Sequence, residues 1–218
     1  MKYHTIFNPF ALLLFFILSC EGDTQFLQKS QGKTIFYEII FQDKEKKRST
    51  YRQSFSFLSI NENWLPAIKS DGELIFFSQN KNGILKKTLD SSTPKRVLAF
   101  PVAVGTSWKT SDKTTLQMKL GYDRVYDTNL PFVSENIIEK TNDIISIDGE
   151  KIKNCIKIKS YGKTSFNPGP PLSNINIEVL STTWFSKKLG VVKYKREERS
   201  DSETMGEIFY EKSIIIDD

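Results

Sequence analysis

Short runs of β-favouring residues alternate with turn signals along most of the chain from residue 34 onward. In "TYRQSFSFLSI" (50–60), Tyr51, Phe55, Phe57 and Ser59 fall on one face of an extended strand. Asn82-Gly83, between two such runs, is typical of a tight hairpin turn. The runs in this half of the chain are 34–43, 50–60, 73–79 and 83–89. This spacing predicts antiparallel strands joined by short turns.

The second half continues the pattern with two exceptions. In "KIKNCIKIK" (151–159), alternation places the isoleucines on one face and Cys155 with the lysines on the other. Residues 130–141 are predicted to form a short helix, and 164–176, with three prolines and a glycine, to form a loop. Further strands are predicted at 114–120, 142–148, 177–187, 190–199 and 206–216. The fold class is therefore all-β: a single antiparallel domain built as a curved sheet, an open barrel or a sandwich.

The N-terminus differs from the rest of the chain. Lys2 precedes an apolar run from Phe10 to Leu18. This run is about half of the roughly 20 apolar residues that a membrane-spanning helix needs. Its length and its basic flank are typical of a secretory signal peptide.

Ile17-Leu18-Ser19-Cys20 resembles the lipobox of bacterial lipoproteins. The resemblance implies that Cys20 receives a diacylglycerol and acyl chains such as palmitate, and becomes the N-terminus after cleavage. The alternative is an ordinary signal peptide that happens to contain a cysteine. The predicted division is a signal peptide at 1–19, a lipidated N-terminus and tether at 20–33, and a β-rich domain at 34–218. Glu21, where some bacteria use aspartate to retain lipoproteins in the inner membrane, favours the outer membrane.

The cysteine and histidine content limits the catalytic mechanisms and disulfides that are open to the protein. His4 is the only histidine and would be removed with the signal peptide. The mature protein would then have no imidazole for a Ser-His-Asp or Cys-His mechanism. Cys155 would be the last thiol beside the lipidated Cys20, so no intramolecular disulfide is expected. We expect no cofactor, no metal and no enzymatic activity, although catalysis by carboxylates alone remains formally open.

The net charge of the chain does not indicate a binding partner. The excess of basic over acidic side chains is small and dispersed. "KEKKR" (44–48) and "KYKREER" (193–199) are interpreted as solvated turns or strand faces and not as nucleic-acid sites. We expect no nucleic-acid partner.

Three further motifs occur in order: "LAFPVAVGTSWKT" (98–110), "DGEKIKNCIKIK" (148–159) and "TTWFSKKLGVVKYKRE" (182–197). Together they resemble a group of uncharacterised, β-rich, exported bacterial proteins, many of them lipoproteins, over roughly residues 70–200. The resemblance supports an all-β fold and an envelope location, and it carries no catalytic residues. The matching positions are Phe100, Pro101, Gly105, Trp108, Gly149, Cys155, Trp184, Phe185, Gly190, Val192 and Lys193.

Two functions follow as hypotheses. The first is a membrane-anchored, non-enzymatic binding or structural module that contacts an envelope component or a protein partner. The alternative is a carrier of a lipid or other apolar ligand in a β-sheet cavity. Trp108, Trp184 and Phe185 would fill a core in the first case and line the ligand site in the second. An apolar void of about 300 Å³ or more would favour the carrier.

Overall fold

The computed structural model describes residues 25–91, 93–120, 124–170 and 173–216. The predicted signal peptide, the lipobox and Cys20 lie outside these residues. Within these described ranges, fourteen strands follow one six-residue helix, α1 (Gln25–Ser30). The strands are β1 (Thr34–Gln42), β2 (Arg48–Phe57), β3 (Leu65–Lys69), β4 (Leu74–Asn80), β5 (Gly83–Thr88), β6 (Lys95–Ala99), β7 (Ser107–Lys113), β8 (Gln117–Leu120), β9 (Arg124–Asp127), β10 (Pro131–Ile147), β11 (Glu150–Phe166), β12 (Ile175–Ser186), β13 (Gly190–Ser200) and β14 (Glu207–Ile214).

Twelve of the strands form one antiparallel sheet in the order β6-β5-β4-β3-β2-β1-β14-β13-β12-β11-β10-β7. The sheet curls into a nearly closed barrel, so that the edge strands β6 and β7 meet at a seam. Trp108 Nε1 on β7 donates a hydrogen bond to the carbonyl of Arg96 on β6 at 3.0 Å. Lys95 and Asp112 form an ion pair across the same seam at 3.0 Å. The all-β prediction is confirmed, and of the three architectures the molecule adopts the barrel.

Inward-facing and outward-facing side chains alternate along the strands, and the inward-facing apolar side chains form the main core. Ile39 of β1, Ile75 of β4 and Ile84 of β5 are buried in the main core, whereas exposed residues face solvent between buried ones. Leu27 of α1 joins this core, so the helix packs against the barrel within the segment expected to be a tether. No helix in the described part of the chain has the length and hydropathy needed to cross a membrane.

A second, smaller core lies where β10, β12 and β14 begin. The separate two-stranded sheet, β8 paired with β9, contributes Met118 to it, and the preceding Leu116 is fully buried. The Glu198 carboxylate, on β13 and fully buried, accepts hydrogen bonds from the backbone N–H groups of Thr115 and Leu116. These bonds attach the segment before β8 to the barrel wall.

The helix predicted at 130–141 is wrong, because these residues form most of β10. Phe132, Ser134 and Ile138 are buried, whereas Val133 and Ile137 are exposed. This two-residue period suits a strand, and pairing with β7 on one side and β11 on the other satisfies the backbone. Pairing with neighbouring strands therefore determines the secondary structure of a segment whose local sequence pattern is ambiguous.

Cys155 does not lie with the lysines on a polar face, as alternation predicted. Its side chain is fully buried, and so is that of the next residue, Ile156. Asn154 has a positive φ of 58°, and the pairing of β10 with β11 shifts register between Asp143 and Ile145. Such an irregularity breaks strict alternation, and it turns two successive side chains inward. Burial raises the pKa of the Cys155 thiol to about 11, which leaves it protonated and poorly nucleophilic at neutral pH.

Gly162 on β11 allows an aromatic ring to lie directly on the sheet. A Cβ atom at this position would stand 2.3 Å from Cδ2 of Phe132. We expect Gly162→Val to lower the free energy of unfolding by about 1–3 kcal/mol, because the Phe132 ring must move. Urea unfolding measures the change. In a Phe132→Ala background the same substitution should cost much less, and an equal cost in both backgrounds would contradict the contact.

Candidate ligand-binding cavity

The main barrel contains a partly open cavity of about 640 Å³. Its wall comes mostly from inward-facing positions on all twelve strands of the main sheet, because successive residues of a strand point to opposite faces. Small-molecule sites in proteins have volumes of about 300–1,000 Å³. The void therefore exceeds the size at which the carrier hypothesis is favoured.

One part of the wall is apolar. Phe55 and Phe57 on β2, Ile75 and Phe77 on β4, and Ile84 on β5 line it side by side. The rings of Phe57 and Phe77 are in contact, with centroids 5.9 Å apart. The packed aromatic surface is suited to an alkyl chain or another apolar group, because burying such a group there removes apolar area from water.

A polar belt crosses β10, β11 and β12 at one level of the barrel. Asn136 lies opposite Ser160, which lies opposite Ser181. Ser160 donates a hydrogen bond from its hydroxyl to Asn136 Oδ1 at 2.6 Å, and Asn136 Nδ2 donates to the carbonyl of Trp108 at 3.1 Å. The belt is thus held in place by its own hydrogen bonds.

An ion-pair network closes the belt on β13. Arg196 donates from Nη1 to Asp112 Oδ2 at 2.8 Å and from Nε to Glu198 Oε1 at 2.7 Å. Burial opposes the Asp112 charge, but the positive charges of Arg196 and Lys95 keep the pKa of this carboxyl below its ordinary value. Arg196 is therefore fully paired by carboxylates within the protein.

Lys69 at the end of β3 is paired as well. Its ammonium group lies 2.8 Å from Asp71 and 2.5 Å from Glu73. Desolvation disfavours the charge, yet the two carboxylates raise the pKa of Lys69 above its ordinary value.

Two other cavity lysines differ from these. Burial lowers the pKa of Lys86 on β5. Burial also lowers the pKa of Lys212 on β14 to about 7, and the positive charges of Lys86 and Lys69 lower the pKa of Lys212 further. The Lys212 ammonium lies 4.4 Å from the centroid of the Tyr37 ring and 4.8 Å from that of Phe55. Both lysines are partly exposed and line the cavity.

The three aromatic residues predicted as core or ligand contacts have different positions. Phe185 is buried and lines the cavity. Trp108 is buried at the seam, where its indole donates to Arg96. Trp184 is partly buried against the core and donates from Nε1 to Asp143 at 2.9 Å. Neither tryptophan lines the cavity.

Sequence reasoning missed the charged residues of the site. "KYKREER" was interpreted as a solvated face, but Arg196 and Glu198 point inward and only their neighbours, such as Glu197, point outward. The same period of two places Lys86 in phase with Ile84, and Lys212 in phase with Ile214. A basic residue in phase with buried isoleucines is the signal that could have identified these positions.

Within the described ranges, no three His, Cys, Asp or Glu side chains are placed to hold a metal ion. The two acids that line the cavity, Glu73 and Asp112, are engaged by Lys69, Lys95 and Arg196. The arrangement is suited to holding a molecule through apolar and ionic contacts.

The chain was compared with known proteins at the level of sequence and of structure. No protein-family model matches it, and no curated protein does. One similar solved structure is that of the hypothetical lipoprotein YmcC from Escherichia coli K12, with 11% identity, a TM-score of 0.39, and coverage of 85% of this chain and 88% of that one. A similarity this low supports no assignment of fold or function.

Proposed function

We propose that this protein is a lipid-anchored, non-enzymatic lipoprotein of the cell envelope that carries an apolar or amphiphilic ligand inside its barrel. The observation that carries the proposal is the cavity of about 640 Å³, part of whose wall is aromatic and aliphatic. A purely structural module has no need for such a void, because empty apolar space costs stability.

The anchor is proposed from the sequence. Ile17-Leu18-Ser19-Cys20 provides the acylation site, and attachment of two or three acyl chains there would hold the protein stably at a membrane, since one chain alone binds only reversibly. Leu27 packs in the core, so the connection between Cys20 and the barrel is short. The cavity would then stand close to a membrane surface, the outer membrane being favoured by Glu21.

One experiment tests both parts. The full chain is expressed in a bacterial host, purified from membranes in a bulky steroid-based detergent, and its mass is measured under native and denaturing conditions. The denatured mass should equal a chain beginning at Cys20 plus a diacylglycerol-based lipid. The native mass should exceed it by a bound molecule of a few hundred daltons, which solvent extraction then identifies.

Two results would contradict the proposal separately. A denatured chain without added lipid mass would contradict the anchor. A native mass equal to the denatured mass, together with no uptake of added myristate or tetradecanol, would contradict the carrier and favour binding of an envelope partner on the outer surface.

A further inference from the structure

The charged and apolar parts of the cavity are directly adjacent. The Phe55 ring that lines the apolar wall also contacts the Lys212 ammonium, 4.8 Å from its centroid. Phe77, the other main aromatic of that wall, is the cross-strand partner of Lys86. A molecule that fills the apolar part and extends toward β5 and β14 therefore meets two ammonium groups.

Among the described residues, neither of these ammonium groups is paired with a carboxylate. No hydrogen bond or ion pair joins Lys86 or Lys212 to an acid there, whereas Lys69, Lys95 and Arg196 each have at least one such partner. Glu73 and Asp112, the two carboxylates whose charges act on Lys86, are already engaged by Lys69, Lys95 and Arg196. Proteins rarely enclose lysines without a partner, because the charged form is costly away from water.

A third donor lies beside the seam. Nε of Arg96 is buried, and within the described residues it has no acceptor. Arg96 lines the same cavity as Lys86 and Lys212. A guanidinium with an unused N–H is a strong donor to a carboxylate or phosphate oxygen. The cavity thus holds unused cationic donors on β5, β6 and β14.

Resting on the proposed function, we propose that the cavity binds a single-chain amphiphile with an anionic head group. The alkyl chain packs among Phe55, Phe57 and Phe77, and the head group accepts hydrogen bonds from Lys86, Lys212 and Arg96. An anion at this place supplies the missing counter-charge, whereas an alcohol or an ester does not. The lowered pKa values of Lys86 and Lys212 agree with an anion-binding site, because an anion bound beside these lysines would favour their charged forms.

The test compares three ligands with the same chain length: myristate, tetradecyl phosphate and tetradecanol. Each is titrated into the full chain, delipidated of its non-covalent ligand in the same detergent, and the bound fraction is measured by native mass spectrometry. We expect myristate or tetradecyl phosphate to bind at least 10-fold more tightly than tetradecanol, because charge-assisted hydrogen bonds are worth about one to two powers of ten in affinity. The tighter of the two anions identifies the head group.

The variant Lys86→Met/Lys212→Met should reduce the preference for the anion to less than about 3-fold, while tetradecanol binds as before. Methionine keeps the length of the side chain and removes the charge. Lys153→Met is the matched control, since it removes the same charge from an exposed position of β11; it should leave the preference unchanged.

Three results would overturn the inference. Equal binding of myristate and tetradecanol to the wild type would leave the carrier intact and remove the anionic head group. A preference for the anion that persists in the double variant would show that Lys86 and Lys212 do not bind the head group. Absence of binding by all three ligands would remove both the inference and the proposed function.

Discussion

Glu198→Ala should lower the free energy of unfolding by about 3–5 kcal/mol, the largest effect expected for a single substitution in this protein. The Glu198 carboxylate is fully buried and accepts hydrogen bonds from the N–H and hydroxyl groups of Thr115, the N–H of Leu116 and Nε of Arg196. Alanine would leave these donors and one guanidinium charge without their acceptor in a region closed to water. Urea denaturation followed by circular dichroism measures the loss.

Glu197→Ala is the matched control. Glu197 precedes Glu198 on the same strand but faces outward, half-exposed, where it pairs with Arg199. Exposed ion pairs of this kind contribute about 0–1 kcal/mol, so the control should change little. Equal effects for the two substitutions would contradict the anchoring role of Glu198. Hydrogen exchange in Glu198→Ala should be fastest in β8 and β9, since Glu198 attaches the segment that precedes them.

Lys212→Met should raise the stability of the ligand-free protein by about 1–3 kcal/mol at pH 7 and below. Burial lowers the pKa of Lys212 from 10.5 to about 7, so the folded protein bears a cost for its charge. The attraction of the ammonium to the Tyr37 and Phe55 rings offsets part of that cost, which is why the gain is smaller than the shift alone suggests.

The pH dependence of this gain has a definite sign. Below about pH 7, Lys212 is protonated in both the folded and the unfolded protein, and the wild type bears the full cost. From about pH 7 to 10.5 the unfolded chain holds a proton that the folded protein has released, so wild-type stability rises relative to the variant and the gain shrinks. The other ionisable groups that line the cavity are common to both proteins: Tyr37, Lys69, Glu73, Lys86, Lys95, Arg96, Asp112, Tyr194, Arg196 and Tyr210.

Thermal unfolding of Lys212→Met and of the wild type between pH 6 and 9.5 checks this prediction. Lys153→Met again serves as the surface control and should show no pH-dependent difference. A variant that is less stable than the wild type at pH 6 would contradict an enclosed, unpaired charge at position 212.

Most of the strands could be predicted from local pattern. "TIFYEIIFQ" forms β1, and the strand predicted at 142–148 forms the end of β10, followed by a turn in which Asp148 and Gly149 have positive φ, 51° and 89°. At Asn82-Gly83 the loop lies one residue earlier, because Gly83 already pairs with Asn80. Gly83 is needed for another reason: a Cβ there would meet the carbonyl oxygen of Leu98 on β6 at 2.0 Å.

The cavity could not be predicted in the same way. Its wall depends on which way each strand turns its side chains, and an irregularity such as the one near Asn154 turns Cys155 inward together with Ile156, against strict alternation. Closure of the sheet between β6 and β7 also brings together residues far apart in sequence, such as Asp112 and Arg196. Composition alone predicts neither the orientation of the side chains nor these long-range contacts. A basic residue such as Lys212 is therefore interpreted as a surface charge until the register is known.

The most direct test of the account is a crystal structure of the full chain purified with myristate. It should show the alkyl chain inside the barrel between Phe55 and Phe77, with a carboxylate oxygen within about 3 Å of an ammonium group of Lys86 or Lys212. A barrel interior filled only by water or by rearranged side chains, with myristate absent or bound on the outer surface, would contradict it.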